Sequence, residues 1–377
     1  MDKTKILIVA GAMDLGGIEN QLMHLLRNAD KNKFQIDFTA TEPNAYYLPE
    51  IRALGGTVHL IPHMSTKNPL PYCKALKKIM VEGHYDIVHS HELFHSGIVL
   101  ALAHQAGVPG RFVHAHNWSD GTGDGKKRPL VRTIYNAAMQ RSILNHSTCR
   151  IACSTLAGKF LYGDDADFHL VFNSVDTGKF LDHYDDQETG EFCGDGWVNV
   201  LQVGRITLVK NQMFLVKIAD EFRRRGKKIR ILCAGSGDEA YQAQLESKIH
   251  RRGLQEYIQL LGVRSDIDVL MRKSQAFVLP SQYEGMPLVL IEAQAAGLPC
   301  VTADTFSHEV DFELGKVRWM QLSAGASAWA DAIETAVTSR KAQKADVIRT
   351  VEEKRFDSKL FTKTLCDLYE QSAREHL

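Results

Sequence analysis

Two carboxylates that could accept hydrogen bonds from neighbouring hydroxyl groups stand eight positions apart, as Glu284 and Glu292. Glu284 is expected in a loop before a helix, and Glu292 about one and a half turns inside that helix. A carboxylate can bind two adjacent hydroxyls, such as those of a sugar ring or a ribose. The alternative is structural, with Glu284 capping the helix and Glu292 on its surface.

The residues between the two glutamates predict an anion site. The segment reads SQYEGMPLVLIEAQAAGLP, in which Pro287 suits the first position of a helix. The amides of Gly285, Met286 and Leu288 can then face an anion at the helix N-terminus, where the dipole favours negative charge. Carboxylates repel a phosphate, so beside such a site the glutamates are expected to bind hydroxyls.

A second loop supplies cations, Arg205 and Lys210, in the segment VGRITLVKNQ. A diphosphate leaving group gains negative charge as its bond to a sugar breaks, and fixed cations stabilise that transition state. Arg offers a planar fork and Lys a compact charge, a pairing that suits a diphosphate. Taken singly, each is more often a solvated surface charge.

The N-terminal loop GAMDLGGI contains Gly16 and Gly17, which let the backbone approach a ligand at the start of the next helix. The spacing is not G-x-G-x-x-G, and no ribose-binding acid closes the next strand, so a dinucleotide site is disfavoured. A tight strand-to-helix turn is the structural alternative.

Histidines are dense in the first half and lie near expected strand ends, at His89, His91, His95, His114 and His116. No metal site is predicted, because the spacing lacks H-x3-H with a carboxylate or cysteine partner. His114 is expected to be buried and His116 to face a cleft, where a neutral imidazole could position a hydroxyl. Satisfied core histidines are the alternative for all of them.

Composition bounds the remaining possibilities. A chain of 377 residues suggests two domains, since single cores rarely grow that large. Lys+Arg and Asp+Glu both number 45, which gives no reason to expect nucleic acid as a partner. The seven cysteines lack C-x-x-C spacing and predict free thiols in a reducing compartment. No signal peptide or membrane span is predicted, so we expect a cytoplasmic protein.

The elements that must position these residues alternate between short Val- and Ile-rich runs and longer amphipathic segments. This alternation predicts an α/β fold with two doubly wound, mostly parallel sheets. The expected strands of the first half are residues 5–10, 35–40, 57–61, 87–90, 111–114 and 150–154. Those of the second half are residues 199–203, 229–234, 258–261, 276–280 and 300–303.

Residues 177–196 are acidic, contain glycine and lack a sustained apolar period, so they predict the connection between the domains. Open α/β sheets bind ligands beyond the carboxyl ends of their strands, which predicts a cleft between the two sheets. The last apolar period, within residues 356–377, predicts a C-terminal helix.

A basic segment, DGTGDGKKRPLVRTIYNAAMQRSILNH, carries Lys126, Lys127, Arg128, Arg132 and Arg141. It could meet an anionic membrane surface or a lipid-diphosphate acceptor. An ordinary solvated helix face explains it equally well.

Taken together, six segments resemble the retaining GT-B glycosyltransferases called glycosyl transferases group 1, which include bacterial exopolysaccharide and capsule enzymes. They occur in family order: GGIE, HSHELFHSG with FVHAHN, FNSVDTGKF, GRITLVKNQ, LGVRSDI and E-x7-E. The resemblance implies two Rossmann-like domains facing a central cleft. It places the acceptor domain at residues 1–176, with the helix 356–377 packing back on it, and the donor domain at residues 177–355.

The resemblance also implies roles. Arg205 and Lys210 would hold the donor diphosphate, Glu292 the ribose and Glu284 the donor sugar, with the amides of Gly285, Met286 and Leu288 nearby. Val263 and Arg264 would meet the base through main-chain atoms. Gly16 and Gly17 would close over the phosphates, and His116 would lie near the sugar and acceptor.

The implied reaction is retaining transfer from a nucleotide-diphosphate sugar, a UDP-sugar in first place, to a glycan or polyprenyl-diphosphate-linked acceptor. It requires no metal and no cofactor beyond the co-substrate, and it takes place in the cytoplasm, at the inner face of the membrane if the basic segment docks there. Two alternatives stay open: a non-catalytic nucleotide-sugar-binding subunit, and a GT-B-shaped sugar-nucleotide epimerase.

Overall fold

A computed structural model describes residues 3–14, 16–65, 68–117, 130–182, 184 and 191–375. The chain forms two compact units, one of residues 1–174 with 358–377 and one of residues 175–357. We call them unit 1 and unit 2. Which unit binds donor and which binds acceptor stays a prediction from the resemblance.

Unit 1 is built on a seven-stranded parallel sheet with strand order β3-β2-β1-β4-β5-β6-β7. Its strands are β1 Thr4–Val9, β2 Phe34–Ala40, β3 Val58–Leu60, β4 Ile87–Ser90, β5 Gly110–Ala115, β6 Cys149–Ala152 and β7 His169–Leu170. Its helices are α1 Gly17–Asn28, α2 Leu48–Ala53, α3 Leu70–Gly83, α4 Ser96–Gln105, α5 Leu130–His146, α6 Thr155–Tyr162 and α14 Ser358–Glu375.

Both faces of this sheet are covered, as its continuous apolar strands require. One face packs Ile6, Ile8 and Phe112 against residues of α1 and α14, including Leu365 and Tyr369. The other packs alternate strand residues against α3 and α4. The expected C-terminal helix therefore forms within two residues of its predicted start and packs on unit 1.

Unit 2 carries a six-stranded parallel sheet with strand order β10-β9-β8-β11-β12-β13. The strands are β8 Val198–Val203, β9 Ile229–Ala234, β10 Ile258–Gly262, β11 Ala276–Leu279, β12 Cys300–Ala303 and β13 Val317–Met320. The helices are α7 Gly178–Leu181, α8 Gln212–Arg224, α9 Glu239–Arg251, α10 Ile267–Lys273, α11 Leu288–Ala295, α12 Gly325–Thr338 and α13 Lys344–Glu353.

The α/β class and the parallel strands of both sheets are as predicted, but the sequence analysis missed the strands at one edge of each sheet. These are β7, with two residues, and β13, which is partly exposed. Short edge strands lack the buried apolar run on which the strand predictions depended. All seven cysteines are free, and Cys153, Cys233 and Cys300 are buried.

Candidate active site

The loop after β8 turns sharply because two backbones meet there without side chains. Gly204 and Gly235 follow the adjacent strands β8 and β9 and have φ angles of +147° and +138°. A Cβ on Gly235 would lie 2.2 Å from the carbonyl oxygen of Gly204. Gly235 therefore has to be glycine, which the sequence analysis did not single out although AGSGD follows an obvious strand.

This β8 loop is held directly to the loop after β11. The amide of Gln282 donates to the carbonyl of Val209 at 2.8 Å. The Asn211 side chain donates to the carbonyl of Pro280 at 3.1 Å, and Asn211 itself has the left-handed φ of 58°. Since β8 and β11 are neighbours in the sheet, their loops emerge side by side and these bonds lock them together.

The two loops bring together a predicted cation and a predicted carboxylate. The ammonium of Lys210 donates to Glu284 Oε1 at 2.5 Å, and the two side chains are only 17% and 13% exposed. Because both side chains are largely removed from water, removing one partner would leave the other charge poorly solvated. We call residues 204–211, residues 280–287 and Glu292 the donor loop cluster.

Helix α11 begins at Leu288, directly after the β11 loop. Pro287 occupies the cap position with φ −72° and ψ 101°, one residue before the predicted place, and makes no side-chain cap hydrogen bond of its own. The Leu290 amide donates to the Pro287 carbonyl at 3.0 Å. The first amides of a helix have no partner one turn back, which leaves a positive pole where Gly285 and Met286 approach it.

Glu292 lies on the second turn of α11 and is partly buried. Burial raises the pKa of its carboxyl to about 7, and the nearby Lys179 ammonium opposes this rise. A plain surface glutamate, the structural alternative, would show no such shift. A carboxyl that is this poorly hydrated gains from any ligand that donates hydrogen bonds to it.

Arg205 differs from Lys210. Its side chain is exposed and makes no ion pair or side-chain hydrogen bond with the described residues, while its carbonyl accepts from the Gln212 side chain at 3.0 Å. The guanidinium is free to turn toward an anion. The structure thus places the two expected diphosphate ligands on one loop but gives only Lys210 a protein partner.

Val263 and Arg264 follow β10, next to β9 in the sheet. Val263 is 64% exposed. Arg264 binds Asp266 through two hydrogen bonds of 2.8 Å and contacts Glu191 at 3.4 Å, and these partners raise its pKa. With the side chain so engaged, this loop offers a ligand mainly its backbone and the Val263 side chain.

In unit 1, Gly16 precedes α1 and Gly17 is its first residue. Gly16 is extended, with φ −166° and ψ 166°, and no side chain caps this helix. A Cβ on Gly16 would meet only the Glu19 carboxylate, the far end of a flexible side chain. Steric need for glycine is therefore weak at Gly16, in contrast to Gly235.

The histidines of unit 1 form a stack, which we call the histidine cluster: His89, His91, His114 and His116. The rings of His114 and His116 lie 4.2 Å apart and those of His91 and His116 5.1 Å apart. The expected contrast between a buried His114 and an outward His116 is wrong, because the residues are 1% and 6% exposed. Residues i and i+2 of a strand share a face, so the two rings point the same way.

Burial determines the charge of this cluster. It lowers the pKa of His89, His91 and His114 well below the usual value and that of His116 to about 4, against an opposing contribution from Asn173. All four rings are therefore neutral at pH 7. The sequence analysis selected these histidines but did not predict that they contact one another. That contact depends on the pairing of β4 with β5.

Sequence comparison covers both units. Residues 196–351 match the family Glycosyl transferases group 1, and residues 16–167 match the Glycosyl transferase 4-like domain. The chain is 32% identical to EpsF of Bacillus subtilis (strain 168), over 98% of this chain and 97% of EpsF. The chain belongs to the group 1 glycosyltransferases.

A further relative and a solved structure extend the comparison. The capsular polysaccharide biosynthesis glycosyltransferase CapH of Staphylococcus aureus is 24% identical over 89% of this chain and 92% of CapH. The crystal structure of Anabaena HepE in complex with UDP and glucose superposes with a TM-score of 0.78 at 16% identity, over 97% of this chain and 99% of HepE. The fold is GT-B, with two Rossmann-like parallel sheets.

Unit 1 of this glycosyltransferase also contains a cavity of about 750 Å³, bordered by the segment that follows β4, by α4 and by α5. Its lining includes Met64, Phe94, Ile98, Glu92 and His95. Burial raises the pKa of Glu92 to about 7, and the Glu19 carboxylate adds to the rise. The sequence analysis did not select Glu92, although it follows β4 in HSHELFHSG; a polar residue directly after a buried parallel strand is the signal it missed.

Beside the cavity, the first turns of α5 and α3 expose apolar side chains, of which Val131 lines the cavity. Leu130, Val131 and Ile134 begin α5 and are 74%, 80% and 60% exposed, and Leu70 begins α3 with 72% exposure. Arg132 lines the same cavity.

Of the predicted basic segment, Lys126, Lys127 and Arg128 lie outside the described residues, and Arg141 is exposed on α5. No helix among the described residues combines the length and hydropathy that crossing a bilayer requires.

Proposed function

We propose that the chain transfers a sugar, with retention, from a nucleotide-diphosphate sugar to a glycan or polyprenyl-diphosphate-linked acceptor in bacterial surface polysaccharide biosynthesis. The observation that carries the proposal is the donor loop cluster, in which Lys210 and Glu284 pair beside the open N-terminus of α11. The capsular polysaccharide role in the name of CapH supports the pathway class. The UDP bound to HepE supports a UDP-sugar as donor.

The diphosphate would lie against Arg205, Lys210 and the first-turn amides of α11. Two cations and a helix N-terminus supply positive potential from the same loops, where developing charge on the leaving group is stabilised most. The Lys210–Glu284 pair keeps the ammonium oriented before the donor arrives. Arg205 is unpaired in the described chain and would add its guanidinium when the donor binds.

The carboxylates would hold hydroxyl groups. Glu284 keeps acceptor capacity on the carboxylate that binds Lys210, which suits a donor-sugar hydroxyl next to the diphosphate. Glu292 would accept the ribose hydroxyls from inside α11. Val263 and the backbone beside it would meet the base, consistent with an Arg264 side chain already bound to Asp266.

The acceptor would bind to unit 1, at the cavity lined by Glu92 and His95. A carboxyl whose pKa is near 7 can accept a proton from an attacking hydroxyl at neutral pH. The exposed apolar side chains of Leu130, Val131 and Ile134 at the start of α5, where Val131 lines the cavity, suit the lipid part of a polyprenyl-linked acceptor. His116, whose ring is buried in the histidine cluster, would lie near the donor sugar and acceptor, as the resemblance implies.

Transfer would be a front-face displacement that needs no Mg²⁺ or Mn²⁺, because Arg205, Lys210 and α11 take the place of a metal at the diphosphate. Retention is tested by the anomeric configuration of the product in a proton NMR spectrum. Inversion would contradict the proposed mechanism. Activity that appears only on addition of Mg²⁺ or Mn²⁺ would contradict the metal-independent step.

A thermal-shift screen across UDP, GDP, ADP and their sugars tests the donor. We expect the melting temperature to rise with UDP or UDP-sugars, because a ligand stabilises the folded state in proportion to its occupancy. Product analysis then separates the alternatives: a binding subunit leaves the donor intact, and an epimerase changes the donor sugar without an acceptor.

A Glu92→Gln variant should retain the rise in melting temperature with UDP and lose sugar transfer. Loss of that rise would instead assign Glu92 to the donor site.

A further inference from the structure

The histidine cluster is a consequence of strand periodicity and pairing. His89 and His91 are two residues apart at the end of β4, and His114 and His116 are two residues apart at the end of β5. The strands are parallel neighbours, with His89 opposite Phe112 and Ser90 opposite Val113. Four imidazoles are therefore brought onto one face of the sheet, the face that α14 covers with Tyr369.

These imidazoles are buried with ring nitrogens that have no protein partner. His89, His91 and His114 are 0%, 8% and 1% exposed. Among the described residues, nothing bonds to Nε2 of His89, Nε2 of His91 or either nitrogen of His114. A buried polar atom without a partner costs about 1–3 kcal/mol, so several in one place call for a bound species.

The hydrogen bonds that do form orient the free nitrogens. Nδ1 of His89 lies 2.6 Å from the Tyr369 hydroxyl, and Nδ1 of His91 lies 2.8 Å from Nε2 of His116. When each Nδ1–H donates to its partner, Nε2 keeps its lone pair. Metal-binding histidines have this arrangement, in which the second ring nitrogen donates to a neighbour that sets the tautomer.

The free nitrogens also converge. One ligand atom from each of His89, His91 and His114 can be chosen so that all three lie within 4.8 Å of one another. Zinc–nitrogen bonds are about 2.0–2.1 Å, so the rings need to move inward by only several tenths of an ångström to share one ion.

We propose that His89, His91 and His114 bind a Zn²⁺ ion through imidazole nitrogens, with a water molecule completing a tetrahedral site. Borderline imidazole ligands favour zinc over Mg²⁺ or Ca²⁺, which prefer oxygen. Because the cluster is closed off by β4, β5 and α14, the ion would tie these elements together and would not take part in sugar transfer. His116 and Tyr369 would position the ligands through their hydrogen bonds.

The test is the metal content of the full chain. We expect about one zinc per chain, by plasma mass spectrometry, when the chain is expressed with ZnCl₂ in the medium and then desalted in the presence of a weak chelator. The variant His114→Gln should retain less than a tenth of this zinc. The control His104→Gln removes an exposed histidine whose ring lies 5.4 Å from His146, a site for adventitious binding, and should leave the zinc content unchanged.

A measurement on the unaltered chain covers the possibility that His114→Gln does not fold. Chain loaded with Co²⁺ should show the visible absorption of tetrahedral cobalt, and X-ray absorption on the zinc form should show nitrogen ligands at about 2.0–2.1 Å. Unaltered protein that takes up no zinc, or only zinc that His104→Gln abolishes, would overturn the proposal. Water would then be the species that satisfies the cluster.

Discussion

The donor loop cluster of unit 2 and the histidine cluster of unit 1 lie at corresponding ends of similar parallel sheets, but they differ in charge and burial. Both gather polar groups at the carboxyl ends of adjacent parallel strands. The donor loop cluster keeps charged groups partly hydrated and pairs Lys210 with Glu284. The histidine cluster is neutral and almost fully buried.

The difference shows how burial limits chemistry. An ionised Arg, Lys or Glu side chain is costly to bury without a partner, so loops that carry such charges stay accessible and can receive a ligand from solution. Imidazole loses its charge when it is buried, so histidines can lie within the fold and bind a species that enters before or during folding. The first arrangement suits catalysis and the second suits structural reinforcement.

Loss of the Lys210 ammonium should have the largest effect. In Lys210→Ala, the diphosphate loses a cation and Glu284 loses its partner, so kcat/KM for donor turnover should fall about 100- to 1000-fold. Steady-state kinetics with the identified donor measures this, and circular dichroism checks the fold. Arg224→Ala, which removes an exposed cation of α8, is the matched control and should retain full activity. Full activity in Lys210→Ala would remove the basis of the proposed donor site.

Gly235→Ala should have the next largest effect, on stability. The added Cβ meets the Gly204 carbonyl and φ is +138°, so the melting temperature should drop by roughly 5–10 °C. Gly253→Ala, at φ +63° with open space around it, should cost only about 2–4 °C. Calorimetry on both variants measures the difference; equal losses would mean that the β8 and β9 loops separate freely.

Glu292→Ala should weaken UDP binding about tenfold, by removal of a ribose ligand. Because the ionised carboxyl accepts the hydroxyls, UDP affinity of the unaltered chain should also fall as the pH drops from 8 to 6, through the pKa of about 7. Isothermal titration calorimetry at several pH values tests both points. A UDP affinity that is constant between pH 6 and pH 8 would place the ribose elsewhere.

The same glutamate should affect stability in the opposite direction. Its pKa is about 7 in the folded chain against an ordinary 4.5, so the folded state holds the proton more tightly. Stability therefore decreases as the pH rises from about 4.5 through 7. Glu292→Gln should melt at a higher temperature than the unaltered chain at pH 8 and lose this advantage toward pH 4.5.

The smallest effect is expected in the histidine cluster. Tyr369→Phe removes the hydroxyl that bonds Nδ1 of His89 and should cost about 1 kcal/mol of stability, or about 2–4 °C. If zinc is bound, its affinity should also fall about tenfold, since the hydroxyl sets the tautomer of a ligand. Donor binding should be unchanged. A large loss of donor binding would show that the two clusters are coupled.

Much of the fold could be predicted because parallel strands buried on both faces read as continuous apolar runs. β1, β4, β9 and β12 are of this kind and stand within one or two residues of their predicted bounds. The sequence analysis did not predict β7 and β13, because edge strands need little apolar sequence. Glu92 was missed because part of its surroundings comes from Met64, Pro69 and α5, which are remote from it in sequence.

The sequence by itself determined where polar residues follow apolar strands, and so which loops could carry chemistry: those of Arg205 and Lys210, of Glu284, and of the histidines. Only the tertiary structure decided which of them meet. The Lys210–Glu284 pair spans 74 positions and depends on β8 lying beside β11, and the stacking of His91 on His116 depends on β4 lying beside β5. Periodicity is local and can be read along the chain, whereas strand order is a property of the whole sheet, and burial with its effect on charge follows from that order.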